Sequence, residues 1–235
     1  MIKTNLAVLM AERGLKIADV YEATGISKTT LMAISENTGK GIQYETIDKL
    51  CNFLNVSPKD FFVYAPYIFK FHSEKDKGDF LGNGFDSISI TVNKAGNLKA
   101  YRLSISIETP QGENYPVTKD DADFIVQVEP ALKGTDDVEH WEDNKKEFYK
   151  IYDGLAVGLQ SDINNRLYKM IIDNLARLNG KTLTAMDGEI GGTGELTHSV
   201  TVKNGMNVII NIFEGRFTRV TKVPLFVTNK KNVIK

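Results

Sequence analysis

Apolar residues in the first sixty positions recur at steps of three and four. From residue 4 onward Leu6, Leu9 and Met10 share a face and Gly14 ends the run, which predicts a first helix. A second helix fits Ile17 to Thr24, with Val20 inward, and Gly25-Ile26 forms a tight corner suited to a left-handed glycine. Ser27 then caps a third helix running to Glu36, anchored by the i, i+3 pair Leu31 and Ile34, with its other face free for contacts. After the polar loop of residues 37–41, Ile42 to Leu54 carries Ile47, Leu50, Cys51 and Leu54 on one stripe, a fourth helix. Ser57 and Pro58 open a last capped turn, and Phe61 and Phe62 close the core. The expectation is an all-α five-helix domain over residues 1–65.

Beyond Ala65-Pro66 the period changes from helical to alternating, which predicts a domain boundary, a second domain over 66–235, and a linker within 66–80. Tyr67 to Phe71 reads as a strand or an extended linker. Phe85 to Val92 and Leu98 to Ile107 read as a hairpin turning at Ala95-Gly96-Asn97, and Phe124 to Val128 as a further strand. Thr197 to Val202 and Met206 to Phe213 flank Asn204-Gly205, which predicts a second hairpin, with Arg216 to Val223 as another strand. Between these groups Val138 to Leu178 is helical in period, with Phe148, Ile151, Leu155, Leu159, Ile163, Leu167, Ile171, Leu175 and Leu178 at steps of three and four, and Gly154 and Gly158 as candidate breaks. The pattern predicts an α+β domain with an antiparallel sheet and one or two long helices, the stripe serving as core rather than as a dimer seam.

Composition refines this only slightly. At 235 residues and 42% hydrophobic content the chain has room for two modest cores. Its formal net charge of -1 gives no global sign of a polyanionic partner, so any such binding must be local. A single cysteine, Cys51, excludes a disulfide framework and a cysteine-rich zinc site. No signal-peptide pattern opens the sequence, and no run approaches the roughly 20 apolar residues of a membrane span. The expected setting is cytoplasmic, without a membrane partner.

The short helices and their glycine corner, with Glu12-Arg13-Gly14-Leu15, Glu22-Ala23-Thr24-Gly25-Ile26-Ser27, Thr46-Ile47-Asp48-Lys49-Leu50-Cys51 and Val56-Ser57-Pro58-Lys59-Asp60-Phe61-Phe62, resemble the Cro/C1-type (XRE) helix-turn-helix family over about 60 residues. The resemblance implies double-stranded DNA as partner, with the third helix in the major groove. Carried over by position, Lys28, Thr29, Met32 and Ala33 are the base-reading candidates, Thr30 lies beside them, and Ser27, Lys16 and Lys40 are placed for phosphate. Ile17 stands where the family usually has a phosphate-contacting Gln, and Tyr21 where it has a small Ala. A Tyr there must either swing outward or push the recognition helix. Residues 1–65 hold seven Lys plus Arg and seven Asp plus Glu, so affinity is expected to rest on a homodimer at a two-fold operator.

Other chemistry has little support. No Ser–Lys pair suits a self-cleaving protease, since Ser161 and Ser199 fit caps or solvent-facing positions. Gly188 to Gly194 lacks the strand, helix and following Lys of a phosphate loop. Asp120, Asp121 and Asp123, like Asp136, Asp137 and Glu139, miss calcium-loop spacing, and His72, His140 and His198 have no paired metal spacing. Trp141 suits the start of a helix as well as a pocket. No enzyme activity, cofactor or metal is expected. The sequence predicts a sequence-specific transcriptional regulator, a repressor, with a carboxy-terminal domain that oligomerises or senses a small-molecule, peptide or protein effector. The alternative is an antitoxin-like or other protein-interaction component in which DNA binding is secondary.

Overall fold

In the computed structural model, residues 1–75, 84–110, 121–131, 138–187 and 198–225 are described. They form two units, Met1–Ile68 with Tyr152–Asp162, and Phe69–Ile151 with Ile163–Lys235.

In the first unit, the short strand β1 (Ile2–Thr4) leads into α1 (Leu6–Glu12), α2 (Ile17–Thr24), α3 (Lys28–Ser35) and α4 (Tyr44–Leu54). A single turn, α5 (Pro58–Phe61), then runs into β2 (Phe62–Tyr64). Leu6, Leu9, Met10, Val20, Leu31, Ile34, Leu50, Cys51, Leu54 and Phe61 make one buried cluster, so each helix contributes the face its period marks out. Asp19 accepts the Lys16 amide at 2.7 Å at the start of α2, and Asp60 accepts the Ser57 hydroxyl at 2.6 Å at the start of α5.

The all-α five-helix expectation is corrected here. β1 and β2 pair antiparallel, Ile2 opposite Tyr64 and Thr4 opposite Phe62, so the unit contains a small sheet. The fifth helix is only four residues long, because the backbone is already extended at Phe62 (φ -109°, ψ 143°). Four longer helices and one turn remain.

The second unit is built on β3 (Ile68–Glu74), β4 (Ser87–Lys94), β5 (Asn97–Thr109), β6 (Phe124–Ala131), β7 (Thr182–Asp187), β8 (His198–Thr201), β9 (Asn207–Ile212) and β10 (Phe217–Lys222). Six strands run in the order β10-β9-β6-β5-β4-β3, with β7 beside β5 and β8 beside β7. The sheet is mixed, which corrects the antiparallel expectation: β6 runs parallel to β9 in the register Ile125 to Ile209, and β5 to β7 in the register Glu108 to Met186. Parallel neighbours need a long crossover, and α6 (Val138–Asp153) and α7 (Val157–Arg177) lie within the one joining β6 to β9.

The hairpin predicted around Asn204-Gly205 is also corrected. β8 pairs with β7, Val200 opposite Leu183, whereas β9 pairs with β10 and β6. By contrast β4 and β5 do form a hairpin, closing on Ala95 and Gly96 with Lys94 opposite Asn97. Both turn residues have positive φ, 51° and 91°, as a two-residue turn matched to strand twist requires.

Tyr101, Leu103, Ile105 and Ile107 of β5 are buried, and the residues between them are more accessible. Helix α6 packs on this part of the sheet through Phe148, whose ring lies 5.1 Å from Tyr101 and 4.9 Å from Phe213. Helix α7 is tied to the sheet where Asn174 accepts the Asp86 amide at 2.7 Å and Arg177 pairs with the Asp86 carboxylate. The long apolar stripe is buried from Phe148 to Leu178 except at half-buried Ile151. No helix among the described residues is long and apolar enough to cross a membrane.

Candidate nucleic-acid interface

The α2–α3 corner sets the geometry. Gly25 adopts φ 71°, a left-handed conformation in which a side chain would be strained, and its amide closes α2 on the Tyr21 carbonyl at 2.8 Å. Ser27 caps α3 by accepting the Thr30 amide at 3.2 Å, and its hydroxyl lies 2.8 Å from the Thr30 hydroxyl. Thr30 and Ser27 therefore serve each other at the helix start.

Along α3 the helical phase separates two faces. Leu31 and Ile34 are buried, whereas Lys28, Thr29 and Thr30 are exposed, Met32 is 49% exposed and Ala33 is half-buried. An exposed methionine on a helix anchored by leucine and isoleucine is an apolar contact surface, not core.

Thr29, Thr30 and Ala33 share one groove of about 570 Å³ with Lys40, Asn37 and Lys3. Lys16 is exposed before α2 and does not line that groove. The structure thus brings Lys40 to the same concavity as the middle of α3.

These features are a protruding polar helix face, a glycine corner behind it and a cationic loop after it. Residues 5–66 match the Cro/C1-type HTH DNA-binding domain. No curated protein and no solved structure matches the chain. The amino-terminal unit therefore carries a Cro/C1-type DNA-binding domain, with α2 and α3 as its helix-turn-helix pair.

Of two further contributors, the sequence marked the first and missed the second. The first is Tyr21, which takes the outward course: it is 43% exposed, and the Lys28 Nζ lies 5.3 Å from its ring centroid. The second is Asn37, just past α3 at φ 55°. Its Oδ1 accepts the Thr4 amide at 2.7 Å, and its Nδ2 donates to the Thr4 carbonyl at 3.1 Å. The Thr4 hydroxyl in turn donates to the Ile34 carbonyl at 2.6 Å, so β1 holds the end of α3. Only the unusual size of Tyr21 was visible in the sequence; nothing local marked Asn37 as a clasp.

Among the described residues no three His, Cys, Asp or Glu side chains gather as a metal site. Gly188 to Gly194, Asp120, Asp136 and Asp137 lie outside the described residues.

Proposed function

We propose that this protein is a sequence-specific transcriptional regulator, a repressor, that reads an operator with the exposed face of α3. The observation that carries the reading is the division of α3 into a buried anchor, Leu31 and Ile34, and an outward face bearing Lys28, Thr29 and Met32. Lys28 can donate to guanine O6 or N7, Thr29 to a base or phosphate, and Met32 or Ala33 can contact a thymine methyl. Lys16 and Lys40 supply phosphate contacts.

Residues 1–65 carry no net charge, so a single domain gains little from counterion release beyond these lysines. The reading therefore includes a homodimer on a two-fold operator, with the second unit oligomerising the chain or sensing an effector. Selection of bound sequences from a randomised duplex pool by the full chain tests it, followed by anisotropy titration at several salt concentrations. The expected result is a two-fold-symmetric motif whose affinity falls steeply with salt. Failure to select any sequence would refute the reading.

The zero net charge also favours a second reading, a protein-interaction component with DNA binding secondary. Stable co-purification with a partner protein, together with weak unselective DNA binding, would support that reading instead.

A further inference from the structure

We infer that Tyr21 is a positioning residue for base recognition, its ring holding the Lys28 side chain over α2 so that the ammonium reaches one base pair in a fixed orientation. This rests on the proposed reading of α3 as the base-contacting helix.

Lys28 is the first residue of α3 and extends toward Tyr21, near the end of α2, with Nζ 5.3 Å from the ring centroid. No ion pair joins Lys28 to a carboxylate among the described residues. The difference matters chemically. A carboxylate would orient the ammonium but also offset its charge and occupy its N–H donors. An aromatic face attracts the same cation through its quadrupole and leaves N–H donors for a guanine acceptor.

A lysine on a four-carbon stem otherwise loses much rotational freedom when it docks. Holding the ammonium against a ring carried by the adjoining helix reduces that loss before DNA arrives. Tyr21 suits this role because its ring is 43% exposed and reachable by Lys28, while its backbone belongs to α2 and its carbonyl accepts the Gly25 amide that closes the corner. The ring and the base-reading lysine therefore move with the same helix pair.

The test compares the full-length wild type with Tyr21→Phe, Tyr21→Leu, Tyr21→Ala and Lys28→Gln, each selecting from the same randomised duplex pool and then titrated on the selected duplex. Lys28→Gln should erase preference at one base pair of each half-site. Tyr21→Ala and Tyr21→Leu should weaken preference at that same base pair, with affinity per half-site lower by about two- to fivefold. Tyr21→Phe should retain it. Tyr21→Leu preserves apolar packing without a π face, so it decides the matter even where the alanine variant fails to fold.

Preference at the Lys28-dependent base pair that is undiminished in Tyr21→Leu would overturn the inference. So would its loss in Tyr21→Phe, which would assign the role to the hydroxyl. A wild type that selects no sequence would remove the reading of α3 itself, an outcome distinct from either of these.

Discussion

Asn37 offers the sharpest test of how α3 is held. Its side-chain amide meets Thr4 as a neighbouring strand would, accepting the Thr4 amide at 2.7 Å and donating to the Thr4 carbonyl at 3.1 Å, while its own backbone sits at φ 55°. Asn37→Gly keeps the left-handed backbone and removes both bonds. At about 0.5–1.5 kcal/mol each, the loss is about 1–3 kcal/mol. Asn37→Ala removes the same bonds and adds left-handed strain of about 1–2 kcal/mol. Glycine's larger unfolded-state entropy, roughly 0.4–1 kcal/mol, offsets part of that difference. Alanine should therefore fall below glycine by about 1 kcal/mol. Amide hydrogen exchange measures this locally: the Thr4 amide should exchange roughly five- to 150-fold faster in the glycine variant and faster still in the alanine variant. Wild-type protection of the Thr4 amide in Asn37→Gly would refute the clasp. Equal exchange in the two variants would refute the strain argument while leaving the clasp intact.

On the DNA side, Lys40→Ala should weaken selected and unselected duplexes alike and make the log–log salt slope shallower by about 1, read by anisotropy titration. An effect confined to one sequence would instead assign Lys40 to base recognition. Asp60 accepts the Ser57 hydroxyl at 2.6 Å and the Ser57 amide at 3.3 Å, and these bonds hold its carboxyl below the ordinary range. Because its folded value is the lower one, its contribution is present above the unfolded value of about 4 and disappears as pH falls through the folded value. Thermal unfolding between pH 6 and pH 2 should show a smaller acid loss for Asp60→Asn than for wild type. Ala95 occupies a left-handed turn position that asparagine tolerates better, so Ala95→Asn should stabilise the β4–β5 hairpin by about 1 kcal/mol, raising its resistance to urea.

The amino-terminal helices were legible because their information is local: Leu31 and Ile34 mark a helical phase, Gly25 a corner, and Ser27 and Ser57 helix starts. The β1–β2 pair was not, since a three-residue strand such as Ile2-Lys3-Thr4 is too short to establish alternation. Asn204-Gly205 shows a different limit. The chain does turn there, with the Gly205 amide bonded to the Val223 carbonyl at 2.9 Å, but turn chemistry does not choose the partner of the incoming strand. The continuous apolar runs Phe124-Ile125-Val126 and Val208-Ile209-Ile210 were the available signal of central strands buried on both faces, the kind that parallel pairing favours.

The proposed DNA face follows the same division. Helical phase alone distinguishes Lys28, Thr29 and Met32 from Leu31 and Ile34, but the course of Tyr21 depends on a contact between two helices. The zero charge sum over residues 1–65 is a poor guide for a related reason. Glu45 pairs with Lys49 at 2.7 Å on α4, Asp60 is engaged at the start of α5, and Glu12 lies 3.5 Å from Arg13. Lys28 instead rests on a neutral ring, and Lys40 lines the groove beside α3. Carboxylates with local partners on α1, α4 and α5 offset the field at α3 less than their number implies, because exposed charges are screened within about 10 Å at 0.1 M salt. Placement of the lysines, rather than their excess over acids, is therefore what the α3 face has to offer a phosphate backbone.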